Sequence, residues 1–540
     1  MQVDDLEGSA SLTLDGQVFK VSAGNFNLLE LTLKPWGYEG RLGWIVLCEP
    51  VQDKINKPFQ SNKPIKLELD LMVGVAGSDS KQRVPLKLEA WVNARSFREQ
   101  LSTNIRLAGN KVLSRCYQVS FIDPARLFWK QHFLQKLYGD TTYKAIITEQ
   151  LVTEIKVRMD WDVLDKQKKQ IMVMARPEGS GCSSFYDFLI WFVYEHNGVF
   201  YYDYAEKQYV IAGKKPAVSG KPVDVDYSQV LDYEVVLETV DYASIEVMNA
   251  SASNAKKDKK PNDEEVKPLI RDYLAIWDVP ADFTADSELI KSRPGNDKTV
   301  VRIGLSSLPL VMLKPWDEIQ PVKEWSPDAW PHDKKFRVEH VEASFTCDDS
   351  SVMDHYNADT GKFAFSYRLN VYETDLSCVA FPAFSYPDYP VMVEGIILSD
   401  QGDEKNKTFS LVEDKDTAVK YYQAEVPVFD KVKVQLPYQP ENMNGQFFFP
   451  PYRQQKVRIA LWLESSFIDA YVDWRSDTPQ TVDSQGNHLV LGQSETSRTT
   501  LRHYYSDSKP QLDINRVLEK DTQTITLSEG MILLSTKETS

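Results

Sequence analysis

Residues 183–213 read SSFYDFLIWFVYEHNGVFYYDYAEKQYVIAG, and eleven of these 31 positions are Phe, Tyr or Trp. Ser184 followed three residues later by Asp187 has the form of a capping box, and Phe185, Phe188, Leu189 and Phe192 then recur on one helical face. Gly198, behind Asn197, stands where a helix needs a left-handed residue to stop. VFYYDY, AEK and QYVIAG predict a strand, a turn and a returning strand. Rings this dense either form a stacking platform for sugars or single-stranded bases, or they pack a core, each burying on the order of 150–250 Å². Helix and hairpin rings that can face one another, in an acidic chain, favour packing.

Working outward, the texture is mostly period two. Between residues 11 and 121, LTLDGQVFKV, LLELTLKPW, LGWIVLCEP, IKLELDLMV, VPLKLEAWV and VLSRCYQVSFI predict six short strands with one apolar face each. The alternation lapses at Asp123, where ARLFWKQHFLQKLYG shows none and Tyr143, Ile146, Ile147 and Leu151 take helical spacing behind Asp140 or Thr141 as N-cap. Strands return over 221–380, broken by SASNAKKDKKPNDEEVKP, whose charge and lack of apolar residues predict a disordered loop near 249–268. LKPW occurs at Leu33–Trp36 and again at Leu313–Trp316, a weak echo between the two β segments. Beyond the Pro-rich joint FPAFSYPDYP, five short strands in about 85 residues fit a small closed barrel. The tail from Thr481 reads as isolated strands without a core.

The expected fold is therefore mainly β with a small α/β insert. A first β-barrel spans 1–122, an α/β domain 123–220, a second β-barrel 221–380, an OB-like barrel 381–480 and a β tail 481–540. A chain of 540 residues needs several such cores.

The net charge of −16 opposes nucleic acid and anionic membrane as partners. The acidic start does not read as a Sec signal peptide, and the longest apolar run, Phe188 to Tyr194, is far short of a bilayer span, so no stable membrane insertion is expected. Five scattered cysteines without a C-x-x-C pair read as reduced thiols made in the cytoplasm. Phosphate-loop, dinucleotide, serine-hydrolase and zincin motifs are missing. GSGCSS (179–184) reads as a loop into a capped helix rather than an anion site. His340, Cys347, Asp348, Asp349 and His355 match no zinc spacing, and His132 in FWKQHF reads as a packing residue rather than a general base. No catalytic residue, cofactor or metal is expected. A β-rich carbohydrate-binding or carbohydrate-active protein using exposed aromatics is the alternative, and it requires alternate rings among Phe200, Tyr201, Tyr202 and Tyr204 to face a groove.

Three stretches carry a resemblance: FIDPARLFWKQHFLQKLYGDTTYKAIITEQL (121–151, with Asp123 and Trp129), SSFYDFLIWFVYEHNGVFYYDY (183–204, with Ser184, Asp187 and Gly198), and GQFFFPPYRQQKVRIALWLE (445–464, with Pro451 and Val457). In that order, among these β segments, they resemble the VgrG family of type VI secretion tips and the hubs of contractile phage tails. Gln454 and Glu464-Ser465-Ser466 stand where the family commonly has Gly and Gly-Asp, which puts the geometry of the small barrel's turns in question. The regular Val/Gly repeats of the family's long spike do not follow residue 480. The resemblance implies a non-enzymatic homotrimer, a ring of two barrels per chain joining a hexameric Hcp-like inner tube and baseplate proteins to a PAAR-like spike tip or effector. It implies assembly in the bacterial cytoplasm and expulsion with the tube, with a phage tail hub as the variant reading.

Overall fold

The alternating N-terminal segments become β1 (Gln2–Leu14), β2 (Gln17–Ser22), β3 (Phe26–Lys34), β4 (Gly37–Leu47), β5 (Lys66–Gly74), β6 (Leu86–Thr103) and β7 (Lys111–Ile122), with a single helical turn, α1 (Asn56–Phe59), between β4 and β5. The structure, a computed structural model, describes residues 2–48, 53–74, 84–103, 111–179, 182–218, 221–237, 241–277, 279–293, 298–322, 325–347, 352, 354–376, 379–402, 408–415, 419–438, 450–473, 486–494 and 496–538. In β3 the pleat buries Leu29, Leu31 and Leu33 and turns Glu30, Thr32 and Lys34 outward. A bulge between Phe26 and Leu28 lets Phe26 share the buried face.

The next segment supplies α2 (Pro124–Phe128), β8 (Gln135–Thr141), α3 (Tyr143–Glu149), β9 (Val157–Asp160), α4 (Asp162–Asp165), β10 (Lys168–Met174), α5 (Phe185–Glu195), β11 (Val199–Asp203) and β12 (Gln208–Ala212). α3 starts after Thr142, because Asp140 and Thr141 are the end of a strand. Sheet order is β11-β12-β9, with β9 parallel to β12. The expectation of a self-contained domain over 123–220 is corrected here: β8 and β10 pair with each other, Met172 N–H of β10 bonds Leu463 O at 2.8 Å, and both strands belong to a different compact unit from the rest of the segment.

The chain continues through β13 (Val223–Val225), β14 (Val230–Val236), β15 (Ser244–Asn249), β16 (Lys256–Lys260), β17 (Ile270–Ala275), α6 (Pro280–Lys291), β18 (Val300–Leu305), β19 (Glu318–Pro321), β20 (Phe336–Thr346) and β21 (Thr360–Glu373). The long strands β20 and β21 are shared between two sets. In one direction the pairings β20-β3-β4-β7-β6-β5-β1-β21 return to β20 and close a circuit, and in the other β20 carries β19 and β13 while β21 carries β18 and β14. The two β segments, 1–122 and 221–380, are thus joined into one sheet.

The predicted disordered loop near 249–268 is also corrected. β16, written KKDKK, pairs antiparallel with β15 while β17 pairs parallel on its other side. Its charges are matched: Lys257 with Glu246 and Lys259 with Glu265 at 3.2 Å each, and Asp258 with Lys291 at 2.6 Å and with the Ser287 hydroxyl at 2.7 Å. Lys256 lies over the buried ring of Phe283 on α6. A lysine-rich segment is a good edge strand once carboxylates face it.

The second unit comprises 134–142, 167–174 and 388–540. It holds β22 (Val391–Leu398), β23 (Val412–Glu413), β24 (Lys420–Val426), β25 (Val432–Pro437), β26 (Lys456–Leu461) and β27 (Ser466–Asp473), in the order β23-β24-β22-β26-β27 with β25 also on β24. Leu137 of β8 and Met172 and Met174 of β10 join Ile397, Val434, Leu436, Val457 and Ile459 in its core, so the five strands legible in the sequence share a core with two strands from far upstream in the chain. The tail forms β28 (Asn487–Ser494), β29 (Ser497–Ser506), β30 (Lys509–Leu518), β31 (Asp521–Ser528) and β32 (Met531–Lys537). These are not isolated strands but one antiparallel meander in sequence order.

Candidate functional site

The quoted aromatic stretch builds the junction of the first unit. Ser184 caps α5: its hydroxyl accepts from Asp187 N–H, and the Asp187 carboxylate accepts from Ser184 N–H at 2.9 Å. Burial alone would raise the Asp187 carboxyl, but hydrogen bonds from Lys130 (2.6 Å) and Ser184 offset it and hold the group below its ordinary value. The stop residue differs from expectation. Asn197, at φ 56°, takes the left-handed conformation, and Gly198 does not. Gly198 is glycine for space, since a Cβ there would lie 2.6 Å from the Trp161 ring.

Asp123 lies at the centre. It is fully buried, caps α2 through Arg126 N–H at 3.0 Å, pairs with the Arg126 guanidinium at 2.5 Å and accepts from the Tyr209 hydroxyl at 2.5 Å. Arg126 also donates to Glu39 (3.0 Å) and to the Tyr38 carbonyl (2.7 Å). A Cβ on Gly37 would meet the same carboxylate at 2.5 Å, which explains that glycine. Burial pushes the hydroxyls of Tyr38, Tyr204 and Tyr209 well above their ordinary value, so they serve as neutral hydrogen-bonding groups. Trp129 donates to Gln150 O at 2.9 Å and meets Phe185 edge-on. His132 sits 2.9 Å from the Gln150 side chain, a packing position.

The LKPW echo acquires a place. The Leu33–Trp36 turn receives Tyr202 N–H on the Pro35 carbonyl at 2.7 Å, and Lys34 N–H donates to the Tyr204 hydroxyl at 3.1 Å. The Leu313–Trp316 turn puts Trp316 edge-on to Tyr201 at 5.6 Å and sends its indole N–H toward the Pro35 carbonyl at 3.4 Å. Both turns therefore grip one hairpin, β11–β12. Beside it opens a cleft of 860 Å³ lined by Arg158, Asp160, Trp161, Tyr201, Lys314 and Asp317 among others. Trp316 is held at φ 78°, and burial pushes the Asp317 carboxyl up to about 6 although Lys314 N–H donates to it.

The rings of Phe200, Tyr201, Tyr202 and Tyr204 are all buried, at most 7 % exposed. They face α5, the Tyr38 ring and the Trp316 turn, and offer no stacking platform.

In the second unit, Pro451 and Val457 flank a turn in which Gln454 adopts φ 70°, the conformation glycine would favour, while its N–H bonds Ile397 O at 2.9 Å. At the other turn Glu464 pairs with Lys168 at 2.5 Å, and the Ser466 hydroxyl lies between Gln170 and the Gln435 carbonyl. Of the sequence-level metal candidates, His340 packs edge-on to Trp36 and Cys347 bonds Phe26 O; Asp348 and Asp349 lie outside the described residues, as do 180–181 of the Gly-rich loop and 445–449 of the third resembling stretch.

A candidate surface that strand-by-strand reading missed lies on the meander. Its register sets Leu489, Leu501, Ile514, Ile525 and Leu534 directly opposite one another across all five strands. Leu512, Leu527 and Ile532 form part of the next row on the same face, while His488, Arg502, Asp513 and Thr526 mark the opposite face. No described residue of 486–538 is buried. The signal was present as alternation plus two-residue turns such as Asp507-Ser508, both at positive φ, which lock the register.

No family model matches the chain, and no curated protein matches it. Solved structures do. A chain of the lidless PdpA–VgrG complex has a TM-score of 0.72 at 12% identity, covering 100% of this chain and 99% of that one. A chain of the lidded Francisella PdpA–VgrG complex has 0.72 at 11%, covering 99% and 80%. The E. coli c3393 protein, described as a type VI secretion component similar to the T4 bacteriophage tail proteins gp27 and gp5, has 0.45 at 10%, covering 85% and 99%. The chain has, from end to end, the β-rich fold of a component of the PdpA–VgrG complex, which is the kind of fold the resemblance implied.

Proposed function

We propose that this chain is a structural component of a contractile injection machine, a hub and spike base that acts as a homotrimer. Its neighbours in this reading are a hexameric Hcp-like inner tube and baseplate proteins at one end and a PAAR-like tip protein or effector at the other. Its role is to couple tube and spike during puncture, without chemistry of its own. The observation that carries the proposal is the tail meander: one apolar row, set in register over five strands, in a sheet of which no described residue is buried. A sheet with one apolar face requires a layer against it, and further copies of the same sheet supply one.

The fold supports the same reading by likeness to a component of the PdpA–VgrG complex. The carbohydrate reading loses its main support because the four hairpin rings are buried. Assembly in the bacterial cytoplasm followed by expulsion with the tube belongs to this proposal, as does a phage-derived particle as the host machine. Negative-stain images of the purified chain test it: threefold particles with a ring at one end are expected, and a compact single-chain particle counts against it.

A further inference from the structure

The small sheet β16-β15-β17 has two edges of opposite chemistry. β16, written KKDKK, presents four lysines, an ordinary way to blunt an edge. β17, written IRDYLA, forms the other edge, and among the described residues it pairs only with β15, in parallel. One face of the sheet is covered by α6, whose Phe283, Ser287 and Lys291 meet Lys256 and Asp258 of β16, and the register sets Val247 and Tyr273 on that side. On the other face Ile270 and Leu274 flank Asp272, and all three are exposed. Leu274 is 71 % exposed and Ile276, just past the strand, 72 %. The platform is firmly held, because Arg293 behind α6 pairs with Glu195 of α5 at 2.8 Å and the Asn197 amide donates to Leu289 O at 2.7 Å. An anchored sheet that blunts one edge with lysine and leaves the other apolar has the chemistry of a strand-accepting site.

We infer that the open edge of β17 takes up one further strand, an extended segment of a different protein that reads apolar-x-basic-x-apolar. Charge selects this occupant. In the register of β15 and β17, Glu246 lies beside Asp272; Glu246 is matched by Lys257 at 3.2 Å and Arg271 by Asp241 at 2.8 Å, whereas Asp272 has no ionic partner among the described residues. A basic residue opposite Asp272 completes that row, and apolar residues two positions to either side cover Ile270 and Leu274. A second copy of β17 does not fit. Twofold antiparallel pairing keeps each face of the sheet on its own side, so only residues of one face meet. The central register then sets Asp272 against Asp272, and a shift of two residues either way sets it against Ile270 or Leu274; like charges repel and a carboxylate pressed on leucine loses its water. Asp272 thereby rejects a second copy and selects a cation, while main-chain hydrogen bonds supply affinity. This site needs one chain only and stands apart from the three-copy reading.

Fluorescence anisotropy of labelled peptides with the full-length chain tests the site. The probe is VTVTKTVTV, with VTVTETVTV as its acidic counterpart. The basic peptide should bind saturably and the acidic one should not. Asp272→Lys should weaken the basic peptide about tenfold and make the acidic one the better ligand, and Leu274→Lys should weaken the basic peptide as well. Both positions are exposed, so the melting temperature should stay unchanged and report that the variants fold. Because successive amides of a strand point to opposite neighbours, N-methylation of one alternate set in the peptide should abolish binding and of the other set should be tolerated. Absence of saturable binding by the basic peptide overturns the inference, as do equal binding of the two peptides, indifference to Asp272→Lys, or equal tolerance of both methylated sets. A fall in the solution mass of the chain on Leu274→Lys also overturns it, since a second copy would then be the occupant.

Discussion

Replacing Asp123 by Ala should destabilise the first unit by about 4 kcal/mol. The carboxylate has no exposed surface and makes three kinds of bond: a helix cap to Arg126 N–H, an ion pair to the Arg126 guanidinium and an acceptor site for the Tyr209 hydroxyl. Loss of the cap costs about 1 kcal/mol, and breaking a buried ion pair from one side costs about 3–5 kcal/mol. An orphaned buried hydroxyl costs a further 1–3 kcal/mol or so. These terms share one carboxylate and do not add, and Arg126 keeps Glu39 at 3.0 Å, which pulls the total below their sum. Asp123→Asn retains an acceptor for the cap and for Tyr209 and should lose about half as much. Urea unfolding followed by aromatic fluorescence reads the midpoint shift at constant slope. A loss under about 1 kcal/mol for Asp123→Ala, or equal losses for the two variants, would refute the idea that this carboxylate organises the junction.

Other consequences are open to the same kind of measurement. Gln454→Gly should stabilise the second unit by up to about 1 kcal/mol, since glycine relieves the left-handed strain while the N–H to Ile397 O persists; a lower melting temperature contradicts this. Gly198→Ala should cost roughly 1–3 kcal/mol because the added methyl meets the Trp161 ring at 2.6 Å, and a neutral result by calorimetry contradicts the packing account. The Asp317 carboxyl, raised by burial from 3.8 to about 6, binds its proton more tightly folded than unfolded. Stability from this group is therefore present at low pH and lost as pH rises from about 4 to 6, on the order of 2–3 kcal/mol. Asp317→Asn, which still accepts from Lys314 N–H, should raise the melting temperature more at pH 8 than at pH 4, and an equal effect at both would contradict the assignment. Ile514→Lys puts a charge at the middle of the apolar row and should dissociate the assembly at micromolar concentration while leaving the first unit's melting unchanged.

What could be read in the sequence was local. The Ser184–Asp187 cap and the β11–β12 hairpin depend on residues within a few positions of one another, and short-range spacing encodes them. Long-range pairing was not legible. Nothing in β20 or β21 says that both serve two strand sets, and nothing in 134–142 or 167–174 says that they join the core of a sheet whose other strands begin near 391. The KKDKK segment looked unstructured because its spacing does not show that the lysines meet carboxylates, Glu246 on β15 and Glu265 six residues after Lys259, once β16 pairs with β15. Gly198 was assigned to the helix stop, yet the conformation falls on Asn197, and the glycine's reason is a tryptophan 37 residues upstream. The tail's apolar face hid behind ordinary alternation, because a row across five strands appears only when the turns fix the register.

The central claim, that this chain works as three copies joined through its tail, is tested most directly by the absolute mass of the purified wild-type chain in solution. Light scattering at micromolar concentration should give three times 61.8 kDa, about 185 kDa, and truncation before Asn487 should reduce it. A stable mass of one chain, unchanged by that truncation, would contradict the account.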